Sequence, residues 1–216
     1  MRDSSSIGLS GARFRPMSLY RLKPAFQALL RPLVAWLFRL GVSANQVTVV
    51  ATIVSLLLGA GLVAAAVAGA WHWFLLLPPW CLLRMALNAV DGLLAREFGQ
   101  RSTLGVYLNE LGDLLADAAL YLPFAFVDAA CLWTVLLVIF LAGLSEVAGI
   151  LGATVGGERR NEGPMGKSDR ALVFGGLGVL LGAGLLSPTV LLAVLIAVAL
   201  LLGWTLINRV KRGIIA

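Results

Sequence analysis

Apolar residues fall in long blocks along this chain, and polar residues collect in the gaps between them. Six blocks, 46–69, 73–97, 103–127, 130–154, 170–187 and 189–208, are long enough to cross a hydrocarbon core ~30 Å thick as helices. The fifth is short and glycine-rich (GGLGVLLGAG), which suits close packing against a neighbour. The stretch before the blocks has another character. Residues 17–40 interleave Arg21, Lys23, Arg31 and Arg39 with Phe26, Leu29, Leu30, Trp36 and Phe38, and include Pro24 and Pro32. That mixture predicts an amphipathic helix lying at the membrane interface, not a seventh span. Residues 1–16 read as a mobile polar leader, and 17–216 as a single membrane-embedded domain. The predicted fold is therefore all-α: a polytopic membrane bundle of six transmembrane helices behind an N-terminal interfacial helix.

Composition supports a membrane chain, with a mean hydropathy of +0.93 and 60% hydrophobic residues. The net charge is +6, but the cations flank apolar segments, which points to lipid headgroups and topology and not to nucleic acid. The connections 70–74, around Asp128 and 186–190 carry no Lys or Arg. Every Lys and Arg except Arg84 falls toward the opposite end, which the positive-inside rule makes cytoplasmic. Both termini are then cytoplasmic, and the chain is expected in the cell inner (plasma) membrane. Cys81 and Cys131 have no metal or redox spacing, and His72 stands between two interfacial tryptophans.

Within the apolar background, residues 88–117 gather polar groups at helical spacing. Asn88 and Asp91 are i,i+3 on the second block; Asn109, Asp113 and Asp117 are i,i+4,i+8 on the third. Ionisable groups at membrane depth are costly and mark functional sites. A tight turn around Gly99–Thr103 would bring the two faces together, and facing oxygen ligands from antiparallel helices make a divalent metal site. An all-oxygen donor set favours Mg²⁺ or Mn²⁺ over zinc. The same spacing also suits a polar packing seam with the acids paired to Arg96 and Arg101. Arg84 and Glu146 are expected either to pair with each other or, for Arg84, to face the metal cavity. Between the fourth and fifth blocks, GGERRNEGPMGKSDRA supplies Arg159, Arg160, Lys167 and Arg170, suited to a phosphate or an anionic headgroup.

The run Asp91-Gly92-x-x-Ala95-Arg96, eight residues, Gly105, three residues, Asn109, three residues, Asp113 resembles the signature of the CDP-alcohol phosphotransferase (CDP-alcohol phosphatidyltransferase) family, D-x-x-D-G-x-x-A-R-x8-G-x3-D-x3-D. Ser43-Ala44-Asn45-Gln46-Val47-Thr48 is similar to the segment that opens the family's first span. The resemblance covers about residues 43–170. It implies a metal-dependent transferase that moves a phosphatidyl or substituted phosphoryl group from a CDP-linked donor to an alcohol in phospholipid biosynthesis, releasing CMP. It also implies a homodimer with a cytoplasmic active site. By the same carry-over, Asn88, Asp91, Asn109 and Asp113 stand at the metal positions, Asp113 is also the general base, and Asp117 is a candidate replacement ligand. Asn45, Thr48, Gly92, Ala95, Arg96, Ser102 and Gly105 fall at nucleotide or diphosphate contacts, although Gly92 and Gly105 alone would also suit helix packing. Arg159, Arg160, Lys167 and Arg170 are expected to bind the acceptor. CDP-diacylglycerol is the expected donor, with membrane lipids around it and a small polar alcohol, phosphorylated or not, as acceptor.

Asn88 and Asn109 depart from the pattern, which has aspartate at both places. An amide offers a carbonyl oxygen without charge, which weakens a site for hard cations. A catalytically degenerate relative that binds lipid or nucleotide is the alternative that this departure raises; a small transporter is a third, without an inverted repeat to support it.

Overall fold

A computed structural model describes residues 19–155 and 157–215, with side chains from residue 26 onward. The expected leader at 1–16 lies outside the described residues, as do the side chains of Arg21 and Lys23. Helices α1 (Leu19–Arg39), α2 (Ala44–Val67), α3 (Leu77–Glu97), α4 (Thr103–Tyr121), α5 (Leu132–Thr154), α6 (Lys167–Gly182) and α7 (Pro188–Ile214) follow one another, and no strand occurs among the described residues. The all-α reading holds, and the boundaries that moved have local causes.

Ser43 starts α2 two residues early, through a reciprocal capping box in which Gln46 N–H donates to Ser43 Oγ and Ser43 N–H to Gln46 Oε1. The second block opens with a 3₁₀ turn, Trp71–Leu76, and α3 begins where Pro78 and Pro79 sit in its first turn, the one place a missing N–H costs nothing. The third block ends its α-helix at Tyr121 and finishes as a 3₁₀ turn through Pro123. Helix α6 begins three residues before the expected 170, because Asp169 Oδ2 accepts the Gly166 N–H at 2.9 Å. It stops at Gly182, followed by Gly184 in the left-handed region (φ 71°).

Among the described residues, four stretches are long and apolar enough to cross a membrane: Ala44–Val67, Trp71–Glu97, Ala129–Thr154 and Pro188–Ile214. Helix α4 carries three acids, and α6 has only 16 residues, or roughly 24 Å at 1.5 Å per residue. Both are nonetheless packed into the bundle: α4 lies along α2, α6 along α3, and α5 along α7. The α2–α4 contact is backbone-close, since a Cβ on Gly59 would strike the Ala119 carbonyl and one on Gly112 would meet Thr52 Oγ1 at 2.5 Å. The main core centres on Phe74, Tyr121, Phe124 and Phe174, with Tyr121 stacked on Phe174 at 3.8 Å. Large apolar side chains such as Leu57, Trp133, Leu172 and Leu200 face outward, as suits lipid contact. Helix α1 packs on α3, with Val34 in a second small core beside Ala44, Val47, Val90 and Leu94. Its Leu29, Leu33 and Trp36 stay exposed.

Candidate functional site

The antiparallel order brings the start of α2, the end of α3, the start of α4, the 155–166 connection and the start of α6 to one end of the bundle. The α3–α4 turn is tied to α2: Gln100 Oε1 accepts the Ala44 N–H at 2.7 Å, and Asn45 Nδ2 reaches Ser102 Oγ at 3.4 Å. Ser102 also caps α4 through the Gly105 N–H at 2.9 Å. Gly105 has no room for a side chain: a Cβ there would lie 2.7 Å from Asn45 Oδ1. The Arg96 guanidinium folds back over Gly92, within 3.0 Å of where a Cβ would be. Thr48 donates to Asp91 Oδ2 at 2.8 Å, joining α2 to the Asp91–Gly92 face of α3. Asn45, Thr48, Gly92, Arg96, Ser102 and Gly105 are thus brought together, while Ala95 packs into the small core beneath them.

One helix over, the acids meet cations. Asp113 Oδ1 accepts from Arg84 Nη2 at 3.0 Å and from Asn88 Nδ2 at 3.3 Å, and Asp113 Oδ2 is paired with Lys167. Asp117 Oδ1 accepts from Arg84 at 2.6 Å, and its Oδ2 accepts from Arg170 Nε and Nη2 at 3.2 and 2.9 Å. Glu146 of α5 receives Arg170 at 3.1 Å, Arg159 at 3.2 Å and Arg209 of α7 at 3.4 Å. Arg159 also pairs with Glu110. Five cations (Arg84, Arg159, Lys167, Arg170, Arg209) and four acids (Glu110, Asp113, Asp117, Glu146) are thus joined in one ion-pair network, with Asp91 beside it on Thr48. A cavity of about 190 Å³ opens beside them, with Asp113, Lys167, Arg159 and Glu110 in its wall. The turn leading to α6 is pinned by Gly163, whose φ of 129° suits glycine, and by Met165 N–H donating to Thr205 Oγ1 at 3.0 Å.

Several expectations need correction. Arg84 pairs with Asp113 and Asp117 and not with Glu146. Asp117 was expected as a metal ligand, but guanidinium groups hold both of its oxygens. Arg170 was expected to bind the acceptor, but its side chain is 1% exposed and committed to Asp117 and Glu146. Arg160 stands apart from the cavity, crossing Gly152 of α5 and lying 3.9 Å from Glu162. Arg209, one of the cations that the positive-inside rule counts, is buried against Glu146 and the Ser145 carbonyl, a role that no sequence signal marks.

The side chains as they stand do not fit a two-metal centre. Among the described residues, no group of three or more His, Cys, Asp or Glu is placed to hold an ion. At the four metal positions that the signature resemblance implies, this chain has two carboxylates, Asp91 and Asp113, and both oxygens of Asp113 are already engaged. The amides Asn88 and Asn109 add oxygen without charge, and Asn88 turns its Nδ2 toward Asp113.

Comparison with known proteins accounts for the arrangement. A family model described as CDP-alcohol phosphatidyltransferase matches residues 41–208. The inner membrane protein YnbA of Escherichia coli (strain K12) is 46% identical over 197 residues, which cover 90% of this chain and 96% of YnbA. The crystal structure of Mycobacterium tuberculosis phosphatidylinositol phosphate synthase (PgsA1) with manganese and citrate superposes with a TM-score of 0.66 at 20% identity, covering 84% of this chain and 87% of that one. Its apo form gives a TM-score of 0.63, over 83% and 93% of the two chains. The matched family model spans both the Asp91–Arg96 face and Asp113, and the chain belongs to the CDP-alcohol phosphatidyltransferase family.

Proposed function

We propose that this chain transfers a phosphatidyl or substituted phosphoryl group from a CDP-linked donor to a small polar alcohol, releasing CMP, on the cytoplasmic side of the inner membrane. CDP-diacylglycerol is the donor this reading favours. One observation carries it: the Gly92–Arg96 face, the Asn45–Ser102–Gly105 contact and Asp113 meet at one end of an apolar bundle, beside a cavity lined by both acids and cations.

The side chains that cover Gly92 and Gly105, those of Arg96, Asn45 and Ser102, are polar, and a nucleotide that displaces them reaches the backbone with Arg96 at its phosphate. The diacylglycerol tails lie along the outward apolar faces of the spans. The acceptor enters the cavity toward Asp113. In the transfer, the acceptor oxygen forms a bond to the phosphorus bearing the lipid, and the bond from that phosphorus to CMP breaks. CMP leaves with the electron pair, and the acceptor proton passes to Asp113. Lys167 is about one-third exposed and sits on Asp113 Oδ2. When phosphate draws that ammonium away, the oxygen becomes free to receive the proton. Arg159, already at the cavity wall, suits an acceptor with its own phosphate. The full reading includes six membrane crossings, with α4 and α6 crossing inside the bundle, an interfacial α1, and a homodimer.

A second reading has one observation behind it: Asp113 has no oxygen without a partner, as befits a lipid- or nucleotide-binding relative that no longer turns over. Lipidomics of a strain overproducing the protein or its Asp113→Asn variant separates the two. A phospholipid class that rises only with the unaltered protein is the expected result and names the product; identical lipidomes would favour the binding protein.

A further inference from the structure

The charge that two aspartates and a divalent ion would bring to this site is replaced here by side chains already present. Asn88 and Asn109 remove two formal negative charges from the family's pattern. The ion-pair network at this end joins five cations to four acids, so side chains already carry the positive charge that meets its carboxylates. The compensating cations stand at the carboxylate that matters: Arg84 holds Asp113 Oδ1 at 3.0 Å, and Lys167 holds Oδ2. They differ in freedom. The Arg84 side chain is 8% exposed and bridged to Asp117 as well, whereas that of Lys167 is 32% exposed and opens on the cavity. One is a fixed positive charge beneath the site; the other can follow an incoming phosphate.

We propose that Lys167 and Arg84 supply the positive charge for the donor's diphosphate, and that this chain's transfer runs without a divalent ion. The proposal rests on the transfer reading above. An ammonium placed on a phosphate neutralises charge as a point cation. Lys167 moving from Asp113 Oδ2 to the diphosphate screens the phosphorus for attack and stabilises the departing CMP. The same movement bares the oxygen that takes the acceptor's proton. The electron pair of the breaking P–O bond leaves on CMP, and no oxidant or reductant is required.

The test uses the full chain in lipid nanodiscs, stripped with EDTA. Free Mn²⁺ is read by electron paramagnetic resonance, and CMP release from CDP-diacylglycerol with a panel of polyols and polyol phosphates is followed in parallel. The unaltered protein is expected to leave added Mn²⁺ free and to release CMP equally with EDTA or Mn²⁺. Lys167→Gln should lose most CMP release in EDTA. Asn88→Asp/Asn109→Asp/Lys167→Gln should bind Mn²⁺ at least about tenfold more tightly than the unaltered chain, because charges a few ångströms away act strongly on a partly buried ion. It should also regain CMP release when Mn²⁺ is added. Stoichiometric Mn²⁺ binding by the unaltered protein, abolished by Asp113→Asn, would overturn the proposal. So would CMP release that EDTA abolishes and Mg²⁺ or Mn²⁺ restores. If no CMP appears under any condition, the transfer reading has failed, and the Mn²⁺ measurement still decides whether this site holds an ion.

Discussion

Asp117 is the carboxylate whose removal should disturb the bundle most. It accepts from Arg84 of α3 at 2.6 Å and from Arg170 of α6 at 3.2 and 2.9 Å, and so ties three helices through one side chain. Asp117→Ala leaves two buried guanidinium groups short of a counter-ion. Removing one partner of a buried pair costs ~3–5 kcal/mol, most of it the unpaired charge left behind. Arg84 keeps Asp113 and Arg170 keeps Glu146, so the loss should fall near the lower end, about 3 kcal/mol. For a chain of this length, that is a drop of ~6–12 °C in the unfolding midpoint. Thermal unfolding followed by tryptophan fluorescence in detergent reads it directly. Glu97→Gln is the control: its pair with Arg31 is solvent-exposed, 37% and 58% by side chain, and should hardly move the midpoint. An Asp117→Ala midpoint equal to that of Glu97→Gln would refute the reasoning and return Asp117 to the pool of available ligands.

Further outcomes follow from the packing. Gly59→Leu drives a side chain into the Ala119 backbone and should separate α2 from α4, costing ~1–3 kcal/mol or more, visible as a lower midpoint and poor recovery from the membrane. Ser102→Ala removes the α4 cap and the Asn45 contact, costing ~1 kcal/mol of stability and weakening CDP binding measured by calorimetry. Thr205→Val leaves the buried Met165 N–H without its acceptor, costing ~1–3 kcal/mol, and should raise amide exchange across residues 163–167.

The bundle was legible because hydropathy alone marks α2, α5 and α7, whereas the caps at Ser43, Ser102 and Ser187 that fix where helices begin are local polar contacts that hydropathy does not report. Helices α4 and α6 were harder for an instructive reason. They fall short on apolar length because their residues are spent on Glu110, Asp113, Asp117, Lys167 and Arg170, the groups that make the site. Spacing placed Asn88 and Asp91 on one face, and Asn109, Asp113 and Asp117 on another, correctly enough to bring Asn88 and Asp113 within 3.3 Å. It had no means of telling that Arg84 and Arg170 would close on Asp117 from two other helices. Those pairings join residues 33 and 53 positions apart, and sequence periodicity reports only on neighbours within one helix. Arg209 was hidden in the same way: a cation near the end of a span reads as topology until Glu146 appears beside it.

The central claim, a CDP-linked transfer that uses Asp113, is tested most directly by CMP release. Purified protein in nanodiscs with CDP-diacylglycerol and a panel of polyols and polyol phosphates should release CMP with at least one acceptor. Asp113→Asn should lower that rate by ~10²–10⁴-fold, the range expected for losing a positioned base. Equal rates in the two proteins, or no CMP with any acceptor, would contradict it.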